Sequence, residues 1–214
     1  MNTKIVSSIK INLIIFLVST LMVSAGNLFA ADDVVHWWVG DAESKALKVI
    51  VDEFENSGAA TLAAELGAVS ADHLMAVSDA GIKAMAEKGV IATLLPGTTL
   101  FLGKNKYAPG RKMIDSGCEL ALATDFNPGS CTIQSMPLII SLACLYCGLS
   151  IEEAFMAATW NGARALNREN KLGVVSKGYQ ADLLFWELNE INEIPYWMGS
   201  DRILNVMKKG KLLE

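Results

Sequence analysis

"CELALATDFNPGS", residues 118–130, decides how this chain is read. The apolar run Leu120-Ala121-Leu122-Ala123 stops at Thr124-Asp125, and Asn127-Pro128-Gly129 follows at once. A short apolar run closed by turn residues reads as a buried strand entering a tight loop. A carboxylate at the end of a buried strand needs its charge compensated, by a metal ion or by a hydrogen-bonded substrate. Asp125 could equally be a solvated turn residue that accepts backbone N–H bonds.

Outward from that stretch the chain alternates. "VSADHL" (69–74) reads as a short strand with His73 near its end. "SDAGIKAMAEKG" (78–89) reads as a helix with Ser78 as N-cap and Gly89 as its stop. "VIATLLPG" (90–97) is an apolar strand closed by a Pro96-Gly97 loop, "APGRKMIDSG" (108–117) a helix, and "CELALATD" (118–125) a strand. Strand, helix, strand, helix, strand with continuous apolar strands implies a parallel sheet covered by helices. In a closed β/α barrel the chemistry sits at the carboxyl ends of strands, where His73, the Pro96-Gly97 loop and Asp125 all fall. "SMPLIISLACLYCG" (135–148) and "SIEEAFMAATWNGARAL" (150–166) read as two further helices, the second capped by Ser150. The end of the chain changes character: a short strand in "LGVV" (172–175), a Lys177-Gly178 turn, the strand "ADLLFWEL" (181–188), and a hairpin turning at Lys209-Gly210.

The totals exclude several classes. A net charge of −5 over 214 residues gives no electrostatic footprint for nucleic acid. Hydrophobic residues make up 52%, too many for a disordered chain. Cys118, Cys131, Cys144 and Cys147 fall within apolar stretches and read as small core residues rather than a disulfide framework or half a zinc site. The N-terminus points the other way on compartment. Lys4 and Lys10 precede the apolar core "INLIIFLVSTLMV" and the small residues Ser24-Ala25-Gly26, which together have the parts of an export signal over residues 1–30.

The segments "LAAELGAVSADHL", "SDAGIKAMAEKGVIATLLPGT", "ALATDFNPGS", "SMPLIISLACLY", "SIEEAFMAATWNGARAL" and "GYQADLLFWEL" closely resemble the C-terminal part of the imidazolonepropionase family, within the metal-dependent amidohydrolases. The resemblance implies an α/β fold: the C-terminal half of a (β/α)8 metal-dependent hydrolase barrel over residues 58–170, with a small incomplete β unit over 171–214. It implies a metal-binding role for Asp125 and, for His73, the role of positioning or deprotonating the attacking water. It places Asn127, Gly129 and Ser130 in the substrate-binding loop. "VDEFENSG" (51–58) resembles a family segment in which Glu53 contacts the imidazolone ring and takes part in catalysis. The implied cofactor is a divalent zinc or iron ion. The implied reaction is hydrolysis of the ring amide of 4-imidazolone-5-propanoate to N-formimidoyl-L-glutamate in histidine degradation, a cytoplasmic reaction. No nucleic-acid partner is expected, and the exposed sheet edges of a half-barrel favour aggregation or a homodimer over a stable monomer.

The family pattern also needs a His-x-His pair on the first barrel strand and a histidine on a middle strand. This chain has 2 histidines, His36 and His73. Ile50 stands at the middle-strand position and Trp38 where the partner of His36 would be. Residues 31–57, "ADDVVHWWVGDAESKALKVIVDEFENS", instead resemble the start of an exported sugar-binding protein, with a strand at 34–39 and a helix at about 43–55. The sequence therefore leads to a truncated, inactive imidazolonepropionase-like hydrolase, with a non-catalytic chimeric fragment of an exported solute-binding protein as the alternative.

Overall fold

The computed structural model describes residues 59–213. The leader, the strand-helix segment at 31–57, His36 and Glu53 lie outside the described residues. Among those described, no helix is long and apolar enough to cross a membrane.

The expected alternation is present. Helix α1 (Ala59–Leu66) leads into β1 (Ser70–Asp72), α2 (Asp79–Lys88), β2 (Ile91–Leu94), α3 (Pro96–Phe101), α4 (Gly110–Asp115) and β3 (Leu120–Leu122). The three strands form one parallel sheet in the order β1-β2-β3. Ser70 stands level with Ile91 and Asp72 with Thr93, while Ala92 stands level with Leu120 and Leu94 with Leu122. β2 is buried along its whole length, which is why its sequence is uninterruptedly apolar around Thr93. Burying side chains such as Ile91 and Leu94 stabilises the sheet by roughly 1.5–3 kcal/mol each.

Local chemistry sets the helix ends. Ser78 Oγ accepts from the Gly81 amide at 3.1 Å, and Gly89 closes α2 at φ +67°, a left-handed conformation that glycine adopts without a Cβ penalty. Helix α5 (Met136–Tyr146) is capped by Ser135. Helix α6 (Ile151–Ala158) begins with a reciprocal Ser150–Glu153 capping box. The single helix expected over 150–166 is two: Thr159, at φ −120° and ψ −88°, interrupts it, and α7 (Trp160–Ala165) continues in a new direction. Asn161 on α7 donates through Nδ2 to the Leu120 carbonyl at 2.8 Å, tying this helix to β3.

Two further expectations are corrected. The Pro96-Gly97 loop is the first turn of α3; proline has no N–H to lose there and its fixed φ suits the position. "LGVV" forms no strand: residues 172–175 run through bends, and Val174 and Val175 are exposed. Among the described residues it pairs with none of the strands of the small unit, a separate three-stranded antiparallel sheet of β4 (Leu183–Trp186), β5 (Ile203–Lys208) and β6 (Lys211–Leu212). Helix α8 (Glu193–Tyr196) packs on α5, where Ser141 Oγ bonds the Pro137 and Pro195 carbonyls. The cysteines are free thiols; three are buried and Cys144 is half-buried, as core residues should be. Burial pushes the Cys147 thiol up to about 12, and burial also raises those of Cys118 and Cys144.

Candidate active site

Three strands in register bring their carboxyl ends to one edge. Directly after β1 the chain turns through two left-handed residues, His73 at φ 69° and Leu74 at φ 65°. Neither is a glycine, and a branched side chain in this region is strained. Leu74 is buried in the core, so packing holds the turn that presents His73. The imidazole borders a shallow, narrow cleft shared with Met75, Leu95, Pro96, Thr99 and Cys147. Its Nδ1 is buried and has no hydrogen-bond partner among the described residues.

Asp125 lies three residues past β3, not within it as the sequence suggested. The strand's ladder ends at Leu122, after which the Ala123 amide makes a last bond to the Leu94 carbonyl. Asp125 is also left-handed, at φ 52°. Its Oδ2 accepts a 2.6 Å bond from the hydroxyl of Thr98, in the first turn of α3. β1 and β3 flank β2, so His73 and Asp125 rise from strands two spacings apart, roughly 10 Å across the sheet.

Asn127, Gly129 and Ser130 come together, but their groups face one another. Asn127 Oδ1 accepts from the Gly129 amide at 2.9 Å and the Ser130 amide at 2.7 Å. Its Nδ2 donates to the Asp125 carbonyl at 2.7 Å and to Ser130 Oγ at 3.0 Å. The Asn127 amide closes the loop on the Cys131 carbonyl at 2.8 Å, and the buried Cys131 thiol donates to the Thr124 carbonyl. The loop from 124 to 131 is thus a self-bonded turn whose first task is to hold Asp125.

The residue that the sequence reading passed over is Thr98. Its signal was present: "PGTT" sets two hydroxyls directly behind the end of an apolar strand, where Thr98 and Thr99 are both buried. Buried hydroxyls in such a place need acceptors. Gly97 beside it lies close to α5: a Cβ there would stand 2.6 Å from Ile139 Cδ1, so that side chain would have to shift.

With this geometry in hand, comparison with known proteins decides the family. The sequence pattern of the Amidohydrolase family matches residues 69–213, which run from just before β1 to just beyond β6. The chain belongs to the amidohydrolase family. It is 52% identical over 166 residues to an imidazolonepropionase of Bacteroides thetaiotaomicron, covering 78% of this chain and 40% of that protein. It is 46% identical over 167 residues to an imidazolonepropionase of Alkaliphilus metalliredigens, again 78% of this chain and 40% of the other. This amidohydrolase chain therefore spans about two-fifths of the length of the curated relatives it matches. Among solved structures, an adenosine deaminase from Xanthomonas campestris with bound zinc superposes with a TM-score of 0.60 at 25% identity, over 67% of this chain and 36% of that one.

Amidohydrolase neighbours of this kind raise the question of a divalent ion. Among the described residues, no three His, Cys, Asp or Glu side chains are grouped so as to hold one. His73 Nδ1, buried without a partner among the described residues, and Asp125 are donors of the right type, but two donors do not fill the four places that a tightly held zinc takes. The residues described do not by themselves fit a tightly held zinc or iron.

Proposed function

We propose that this chain carries the C-terminal part of an imidazolonepropionase-type hydrolase, acting on the ring amide of 4-imidazolone-5-propanoate. The observation that carries the reading is the identity to imidazolonepropionases running through both the His73 turn and the Asp125 loop. Hydrolysis adds water oxygen to the ring carbonyl carbon, breaks the ring C–N bond and leaves the proton on nitrogen, giving N-formimidoyl-L-glutamate. His73 is the group suited to moving that proton, because its buried Nδ1 is uncommitted and it borders the cleft. Asp125 offers a carboxylate beyond the end of β3, on the far side of β2, held by Thr98. Asn127, Gly129 and Ser130 act on substrate through the shape of the loop they build, and Glu53 would contact the ring from outside the described residues.

The zinc or iron ion that the family resemblance implies would need further ligands beside Asp125. The two-donor arrangement supports the reading that the chain alone is inactive and that a complete site needs more of the barrel. The outer edges of β1 and β3 pair with no strand among the described residues, which suits either further barrel strands or a second copy. The reaction belongs in the cytoplasm, where the resembled family works.

The test is hydrolysis of 4-imidazolone-5-propanoate, followed by its ultraviolet absorbance, with metal content measured on the same sample. The full chain alone should show no turnover. Co-produced with the N-terminal part of the Bacteroides thetaiotaomicron relative, it should turn over and should lose that activity on Asp125→Ala. A folded, associated pair without turnover would leave the non-catalytic reading in its place.

A further inference from the structure

The Thr98–Asp125 pair, buried on the Thr98 side and half-buried on the Asp125 side, joins two segments 27 residues apart at the mouth of the sheet. Thr98 is fixed before it meets the carboxylate. Its amide donates to the Leu95 carbonyl at 3.2 Å, its carbonyl accepts from the Leu102 amide at 3.0 Å, and its side chain is 3% exposed. A β-branched residue so held has little χ1 freedom. Its hydroxyl therefore arrives at Oδ2 as a preset donor, and at 2.6 Å the bond falls in the short range expected of a hydroxyl facing a carboxylate. Asp125 itself sits at φ 52° in a loop bonded chiefly through Asn127, with no other side chain donating to its carboxyl group among the described residues.

We propose that Thr98 is a positioning residue: its hydroxyl locks the Asp125 carboxylate in one rotamer, committing Oδ2 and leaving Oδ1 free. The consequence for catalysis rests on the hydrolase reading above; the lock itself does not. Without the hydroxyl, the carboxylate would face a buried methyl group and swing toward water, pulling against the strained backbone that carries it.

The experiment compares the full chain with Thr98→Val and Thr98→Ser by amide hydrogen exchange, read at Asn127, whose N–H closes the loop. Thr98→Val keeps the shape and removes the donor, so exchange at Asn127 should quicken at least tenfold while amides in β2 stay unchanged. Thr98→Ser restores the donor and should stay within about threefold of wild type. In the complemented enzyme, Thr98→Val should lower kcat at least tenfold with KM nearly constant, and Thr98→Ser should recover most of it. Unchanged exchange in Thr98→Val, or equal loosening in both variants, would overturn the proposal. Absence of turnover in the wild-type mixture would count against the hydrolase reading and leave the lock to be decided by exchange alone.

Discussion

Replacing Asn127 by alanine tests whether the loop after β3 is a built scaffold or a set of side chains awaiting substrate. Four hydrogen bonds of 2.7 to 3.0 Å leave this amide: two accepted from the Gly129 and Ser130 amides, and two donated to the Asp125 carbonyl and Ser130 Oγ. A protein hydrogen bond contributes about 0.5–1.5 kcal/mol net, and water can replace those at the exposed rim of the turn. Removing all four should therefore cost about 2–3 kcal/mol. With a urea dependence of about 1–3 kcal/mol per molar, the unfolding midpoint should fall by roughly 1 M. Asn127→Asp keeps the Oδ1 acceptor, loses both Nδ2 donors and adds a charge near Asp125, so it should recover less than half of the loss. Denaturation of the full chain followed by far-ultraviolet circular dichroism measures both variants. A midpoint shift below about 0.3 M for Asn127→Ala would refute the scaffold role and return Asn127 to substrate binding alone.

Gly97→Ala should destabilise the chain by about 1–3 kcal/mol through overlap with Ile139 Cδ1, and Ile139→Val, which removes that methyl, should offset part of it. A double-mutant cycle by urea unfolding checks this, and additive costs would sink it. The Asp182 carboxyl is held at about 2, first by the Lys208 ammonium and then by the Lys209 amide. A depressed acid stabilises above its unfolded value near 4, and that contribution should fade as pH falls from about 4 to 2. Asp182→Asn should remove this step from the pH dependence of the β4–β5 amide signals. The Cys147 thiol, pushed up to about 12, should resist iodoacetamide at pH 8 in the folded chain and react once urea unfolds it. Rapid labelling of the native Cys147 would show that the end of α5 opens freely.

Much of the core was legible in the sequence because periodicity and end signals agree there. Ser78 and Gly89 bracket α2 as capping chemistry requires, and the apolar run at 90–95 becomes a fully buried central strand. The Pro96-Gly97 turn was misread on local chemistry, since proline opens α3 there, whereas two other failures come from tertiary context outweighing a local pattern. "LGVV" has strand propensity but pairs with no strand among the described residues, where β4, β5 and β6 pair with one another. The helix at 150–166 looks continuous, yet the chain breaks at Thr159 so that Asn161 can reach the Leu120 carbonyl across 41 residues of sequence. Contacts of that separation leave no trace in a window of a dozen residues.

The candidate site was legible in kind and not in geometry. His73 and Asp125 stand at strand ends, as barrel logic requires, but all three non-glycine residues that carry the site's backbone strain, His73, Leu74 and Asp125, looked ordinary in sequence. Left-handed backbone at such residues costs on the order of 1–3 kcal/mol each and persists only where surroundings over-determine it. Here the surroundings can be named: the buried Leu74 side chain on one side, and the Asn127 turn with the Thr98 hydroxyl on the other. Each restraint lies on the described part of the chain. The strained turns are thus maintained by this segment's own packing, while the remaining ligands of a metal site would come from elsewhere in a barrel. The described segment thus holds the strained strand ends through its own contacts. Under the hydrolase reading proposed above, complementation, rather than redesign of His73 or Asp125, is therefore the perturbation expected to give turnover.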